Sequence, residues 1–174
     1  MKKVIFLIGV LVSILVVNPA IAQSPFNYFL FIEGIPGESM DHLHKNWVDV
    51  LSFKEGVTHA GTIAYGSGGG GGKALFAPLT VIKRVDKASP NLKILCASGR
   101  NIKQLILVSS YRGDRPRDFY IIKLTNVVVS EVKVSTESTG IFEEVTFSYG
   151  TIEWNYTLQG TGGPQVVIKS GWDI

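Results

Sequence analysis

From residue 26 onward the chain is a succession of short runs rich in β-branched and aromatic residues, broken by glycine, proline and polar turns, and this pattern restricts the possible folds most. Residues 26 to 32 read Phe-Asn-Tyr-Phe-Leu-Phe-Ile and close on Gly34 and Pro36, a strand ending in a turn. Further strands are expected over Val48 to Phe53, Leu79 to Val85, Gln104 to Ser110, Phe119 to Leu124 and Val127 to Val134. Phe142 to Tyr149 and Thr151 to Leu158 follow, split by Gly150, and Val166 to Lys169 adds a short final strand. Many short strands with turn residues between them predict an all-β sandwich or barrel. One segment, Ser89 to Ser98, reads as a helix: Ser89 suits the N-cap, Pro90 the first turn and Gly99 the C-terminal stop. Between Gly56 and Lys73 the chain is glycine-rich, with the unbroken run Gly68 to Gly72, and predicts a long flexible loop. Ordering such a loop costs conformational entropy that contact with a partner subunit would offset.

The first 22 residues have the three parts of a cleavable secretory signal peptide. Lys2 and Lys3 form the basic start, Val4 to Val17 the apolar run, and Ala20-Ile21-Ala22 the small-residue cleavage site. The apolar run has 14 residues, short of the roughly 20 a spanning helix needs. No cysteine follows the cleavage site to carry a lipid, so no stable membrane insertion of the mature chain is expected. The sequence is read as leader 1–22 followed by one domain, 23–174. Without Lys2 and Lys3 the basic residues fall from 17 to 15, against 14 acidic ones, leaving a mature charge of +1. That near-neutral balance has no footprint for nucleic acid or an anionic membrane. Cys96 is the single cysteine, so no internal disulfide can hold an exported fold together. Its apolar surroundings, Leu92 to Ala97, fit a small buried hydrophobe.

The sequence shows no constellation for catalysis, and neither a metal nor another cofactor is expected. His42 and His44, with Asp41 beside them and His59 further on, sit in a polar connection and lack converging ligands; a surface position is expected for them. Gly68 to Gly72 with Lys73 departs from the phosphate-binding loop, because Ala74 stands where a hydroxyl must bind magnesium and no helix follows. No Gly-x-Ser-x-Gly elbow occurs, and Cys96 lies within the helix rather than at its start. Glu143 and Glu144 are adjacent on a strand and point to opposite faces, so they cannot flank one bond.

Several collinear stretches carry a family resemblance. They are Phe31 to Ser39, reading Phe-Ile-Glu-Gly-Ile-Pro-Gly-Glu-Ser; His44-Lys45 with Trp47 to Phe53, then Gly56 and Val57; the glycine-rich stretch ending at Lys73; Asp86 to Leu92 leading to Cys96-Ala97-Ser98-Gly99; Tyr120 to Leu124 with Val127 to Ser130; and Glu144 to Gly150, Ile152-Glu153-Trp154 and Gly162-Gly163-Pro164 before the terminal Gly171-Trp172-Asp173-Ile174. Each is weak alone, but together they span nearly all of residues 28 to 174. In this the chain resembles the haemolysin-coregulated protein (Hcp) family, whose members form the inner tube of the type VI secretion system. The resemblance implies a β-barrel of two sheets with one helix at its side, six copies in a ring, rings stacked into a hollow tube, and protein cargo held in the lumen. It also implies a stacking contact at Gly68, Gly69, Gly70, Gly71, Gly72 and Lys73. The leader departs from that family, whose tube proteins leave through the machine without one. The expectation is therefore an extracellular or cell-surface tube, with the periplasm as the alternative location.

Strand edges give self-assembly a physical basis, since an unguarded edge pairs readily with another copy. Val127 to Val134, with only Glu131 and Lys133 as charges, is either such an edge or an internal strand buried on both faces. Basic residues at Arg100, Lys103, Arg112, Arg115 and Arg117, and acidic ones at Glu131, Glu137, Glu143 and Glu144, would suit opposite faces of a ring if they segregate. The competing functions are a soluble secreted ring or monomer that carries a protein or ligand without polymerising, and, for want of any triad or metal set, only remotely a hydrolase.

Overall fold

The computed structural model describes residues 24–59, 73–113, 116–158 and 166–174. The leader reading and Gly68 to Gly72 lie outside them. Eight strands and one helix follow in the order β1 Phe26–Ile32, β2 Val48–His59, β3 Ala74–Arg84, α1 Ser89–Ser98, β4 Asn101–Tyr111, β5 Arg117–Glu137, β6 Gly140–Ser148, β7 Thr151–Thr157 and β8 Val167–Asp173. All neighbouring strands are antiparallel, in the order β4-β1-β2-β3-β6-β5-β7-β8, and β4 also pairs with β5. That extra pairing closes a circuit of six strands, giving the expected all-β, barrel-like architecture with one helix.

The closure depends on β5, the longest strand. One edge of its first half takes β4, from Tyr111 opposite Arg117 to Asn101 opposite Val128. The other edge takes β7 along Tyr120 to Thr125 and then β6 along Val128 to Glu137. The two strands expected at Phe119 to Leu124 and Val127 to Val134 are one, in which the inward side chains change phase: Ile122 and Leu124 are buried, then Val127 and Val129. The change of phase falls at Asn126, in the left-handed region at φ 54°, which asparagine tolerates better than other non-glycine residues, and the register to β4 runs through it unshifted. Its side-chain carbonyl accepts a hydrogen bond from Asn101, and its backbone carbonyl accepts one from Gly150 N–H. Asn126→Ala is expected to cost about 1–2 kcal/mol from the left-handed backbone alone, read as a lower urea midpoint with an unchanged m-value.

Inside the circuit lie Leu30, Ile32, Val48, Leu79, Val81, Leu105, Leu107, Ile122, Leu124, Val145, Phe147 and Ile152, with Leu92 contributed by the helix. The helix bounds match the sequence reading. Gly99 ends it at φ 62°, its N–H donating to Leu95 O. Ser89 is not its cap: the N-cap is Ala88, with no side-chain bond. The turn is instead tied by Asp86, whose Oδ1 accepts from Ala88 N–H at 2.9 Å and whose carbonyl accepts from Ser89 N–H.

The Ser89 hydroxyl turns inward because two buried charges need it. Lys83 on β3 and Glu143 on β6 stand directly opposite each other, in the same inward rows as Val81 and Val145, and both are fully buried. Lys83 Nζ lies 3.0 Å from Glu143 Oε2, 2.8 Å from Asp86 Oδ1 and 3.1 Å from Ser89 Oγ. Ser89 donates to Glu143 Oε2 at 2.5 Å, and Lys93 approaches Oε1 at 3.6 Å. The ion pair therefore fastens the helix start to two strands. Glu144, on the opposite face as expected, is only partly buried.

Candidate self-assembly surface

An edge strand exposes unpaired N–H and C=O groups, and charged or proline guards usually blunt it. The circuit leaves β7 and β8 outside it as a two-stranded leaf. Strand β8 pairs only with β7 among the described residues, and every residue of it is exposed. Val167, Ile168, Trp172 and Ile174 are 48–60% exposed, with Lys169 and Asp173 as the strand's only charges. This is an apolar open edge.

Two other stretches are open on one side and differ in composition. Strand β2 meets β1 only through Val48, Asp49 and Val50, so beyond Val50 its described partner is β3 alone. Past Val129, β5 pairs with β6 alone among the described residues, and here Glu131, Lys133 and Glu137 guard it. Val127, by contrast, is fully buried, so the Val127 to Val134 stretch begins as an internal strand and ends as an edge.

The outer part of β2 and β3 forms an arm. Val57 pairs with Phe76, Thr58 with Leu75 and His59 with Ala74, so Gly56 to His59, expected to open the loop, belong to a paired strand; residues 60–72 lie outside the described residues. The leaf braces this arm: Phe76 stacks on Trp154 and on Trp172, with ring centroids 6.4 and 6.1 Å apart. Tyr149 donates its hydroxyl to Ala77 O at 3.0 Å. Tyr120 contacts Glu55 at 3.5 Å; burial, reinforced by that carboxylate, pushes its phenol up to about 12, so it remains a donor. Lys73, exposed, immediately precedes β3 at the end of this braced arm.

Other residues singled out in the sequence do not converge. His42 and His59 are exposed, and no group of three or more His, Cys, Asp or Glu side chains could hold a metal among the described residues. His44 departs from its expected surface position: it is 2% exposed, stacked on Phe29 at 4.2 Å and held between Asp41 and Asp118. The Asp-x-x-His spacing was legible, but Asp118, 74 residues away, had no local signal. Cys96 is half-buried against the core. Arg100 and Lys103 sit at one end of β4 while Arg112 and Arg117 sit at the other, Arg115 lies outside the described residues, and Glu143 is internal, so the described charges do not segregate to opposite faces. No helix among the described residues is long and apolar enough to cross a membrane.

A closed antiparallel circuit with one docked helix and an apolar outlying edge defines an all-β domain of barrel type whose unusual features are its surfaces. The family model for the type VI secretion system effector Hcp matches residues 29–156, and the chain belongs to that family. It is 34% identical to protein hcp1 of Pseudomonas aeruginosa over 156 residues, covering 84% of this chain and 93% of that one. Among solved structures, the crystal structure of Hcp1 from Salmonella typhimurium matches at TM-score 0.71 and 34% identity, covering 86% of this chain and 95% of the other. A structure described as a type six secretion system protein matches at TM-score 0.79 and 30% identity, covering 86% and 96%.

Proposed function

We propose that this protein is an exported structural component that assembles with copies of itself into six-membered rings, which stack into a hollow tube. Membership of the Hcp family supports this reading. The observation that carries it is the coexistence of unlike open edges on one chain: the apolar β8 and the more polar margins of β2 and β5. A contact that joins one kind of edge to the other is not two-fold. Such unlike edges favour head-to-tail association, which closes into a ring when the rotation permits and otherwise propagates. The arm's loop, Gly68 to Lys73, supplies the contact between rings, its ordering entropy offset by the neighbour. The lumen accommodates secreted protein cargo. Residues 1–22 direct export, and no enzymatic step is part of the function.

Mass photometry and negative-stain microscopy of the purified protein test this. Rings and stacked rings are expected. Ile168→Lys, which places a charge on the open edge, is expected to shift the population to single copies with little change in melting temperature, because Ile168 is 56% exposed. Deleting Gly68 to Gly72 is expected to leave single rings. A wild-type protein that stays a dispersed monomer at high concentration overturns the assembly, and one discrete size at every concentration favours a soluble carrier ring. An N-terminus still at Met1 in culture fractions overturns the processing.

A further inference from the structure

Between β1 and β2 the chain forms a strap, residues 37–47, closed by its own backbone. Gly37 N–H donates to Asn46 O at 2.7 Å, Ser39 N–H to Trp47 O at 2.9 Å, and Asn46 N–H to Ser39 O at 2.9 Å. The base of the strap is packed, with Trp47 against Phe31 at 5.4 Å, but its tip carries Met40 and Leu43, 86% and 50% exposed. What holds it is the buried ring of His44. Phe29 covers one face, Trp47 meets it edge-on at 5.0 Å, and both ring nitrogens face carboxylates. Nδ1 lies 2.8 Å from Asp41 Oδ1. Nε2 lies 3.1 and 3.2 Å from the two oxygens of Asp118.

Carboxylates only accept hydrogen bonds, and a neutral imidazole has one N–H. Both contacts are satisfied together only when both nitrogens are protonated. We propose that His44 is a protonated latch, pinning the strap to β5 through Asp118 while charged and freeing it, with its exposed Met40 and Leu43, when the ring loses a proton. The groups around the ring are few. The strap contributes Asp41, with His42 and Lys45 exposed; β1 contributes Phe29; β5 contributes Asp118, preceded by Arg117. Asp49 of β2 and Arg112 line the cleft beside Asp41, and both arginines have contacts of their own.

Burial alone would push the ring's pKa down, but hydrogen bonds and charge attraction from Asp118 and Asp41 outweigh it and raise it. For a group raised on folding, the stabilisation is complete below the unfolded value, about 6.5, and is lost as pH rises through the folded value. Burial likewise opposes Asp41, yet its bonds to His44 and to the Leu43 and His44 amides hold its carboxyl below the ordinary range. Its contribution is present above that range and lost only in strong acid. The latch is therefore closed in mildly acidic solution and opens toward alkaline pH.

The test is an NMR titration of the His44 ring in the purified protein, combined with amide exchange at Gly37, Ser39 and Asn46. The ring is expected to titrate above about 6.5, and the protection factors of these amides to fall about tenfold for each pH unit between the unfolded and folded values. Asp118→Asn, which keeps the shape, should lower the titration point and shrink the pH dependence. His44→Gln should abolish the dependence. A ring that titrates at or below the ordinary value, or strap protection that ignores pH in the wild type, overturns the latch. So does a dependence that survives in Asp118→Asn unchanged. The readout is local to the strap and does not depend on ring assembly.

Discussion

Glu143→Ala is expected to destabilise the protein by about 3–5 kcal/mol, because it leaves Lys83 charged, buried and without its opposite partner. Nothing nearby replaces the lost carboxylate. Asp86 already accepts Lys83 at 2.8 Å, but its oxygen also serves the helix-opening turn. Lys93, 3.6 Å from the same glutamate, is half-exposed and stays solvated, so the cost falls on Lys83. The expected fall in Tm is roughly 10 °C for a chain of this size. A companion double variant, Lys83→Met with Glu143→Leu, should recover most of the loss, because removing both charges of a buried pair avoids the orphaned ion. Far-UV circular dichroism with thermal melts of the three proteins checks both statements; a single variant that melts with the wild type would show that the pair is not coupled to folding.

Gly37→Ala is the second large effect. An added Cβ would lie 2.2 Å from Trp47 O, 2.5 Å from Trp47 C and 2.6 Å from Val48 Cα, all backbone atoms. No rotamer change can relieve that contact. Either the strap must lift, losing the Gly37 to Asn46 and Ser39 to Trp47 hydrogen bonds, or β2 must shift at Val48, which is fully buried. Overpacking of this kind is expected to cost about 3 kcal/mol. Urea unfolding should show a lower midpoint, with amide exchange increased first between residues 37 and 48. By contrast, Gly56→Ala meets no atom within 4 Å and serves as the control.

Much of the architecture was legible because local pattern and fold agree. Phe26–Ile32 and Ser89–Ser98 are bounded by turn and stop residues, so their limits coincide with the reading. Strand β5 was not legible as one element, since a broken period-two pattern cannot distinguish a strand that ends from one whose faces change phase, and only its unshifted pairing with β4 from Thr125 to Val128 shows that it continues. The arm was shortened for the same reason: Gly56 to His59 have little apolar alternation, and their strand conformation depends on β3 beside them. His44 and Lys83 were missed as buried groups because the partners that make their burial tolerable, Asp118 and Glu143, are 74 and 60 residues distant. The opposed orientation of Glu143 and Glu144 was legible, but not which of them faces inward. Of the proposed interface, the glycine run was visible in sequence, whereas the open edge of β8 emerges only from the strand order.

The sharing of β5 among three neighbours has a mechanical consequence. A pull applied to β7 passes into the same backbone that carries β4 and β6, so β5 cannot be withdrawn from the sheet without breaking its ladders to all three neighbours. Load arriving at one rim of the domain is thus delivered through β5 to the strands on both of its edges.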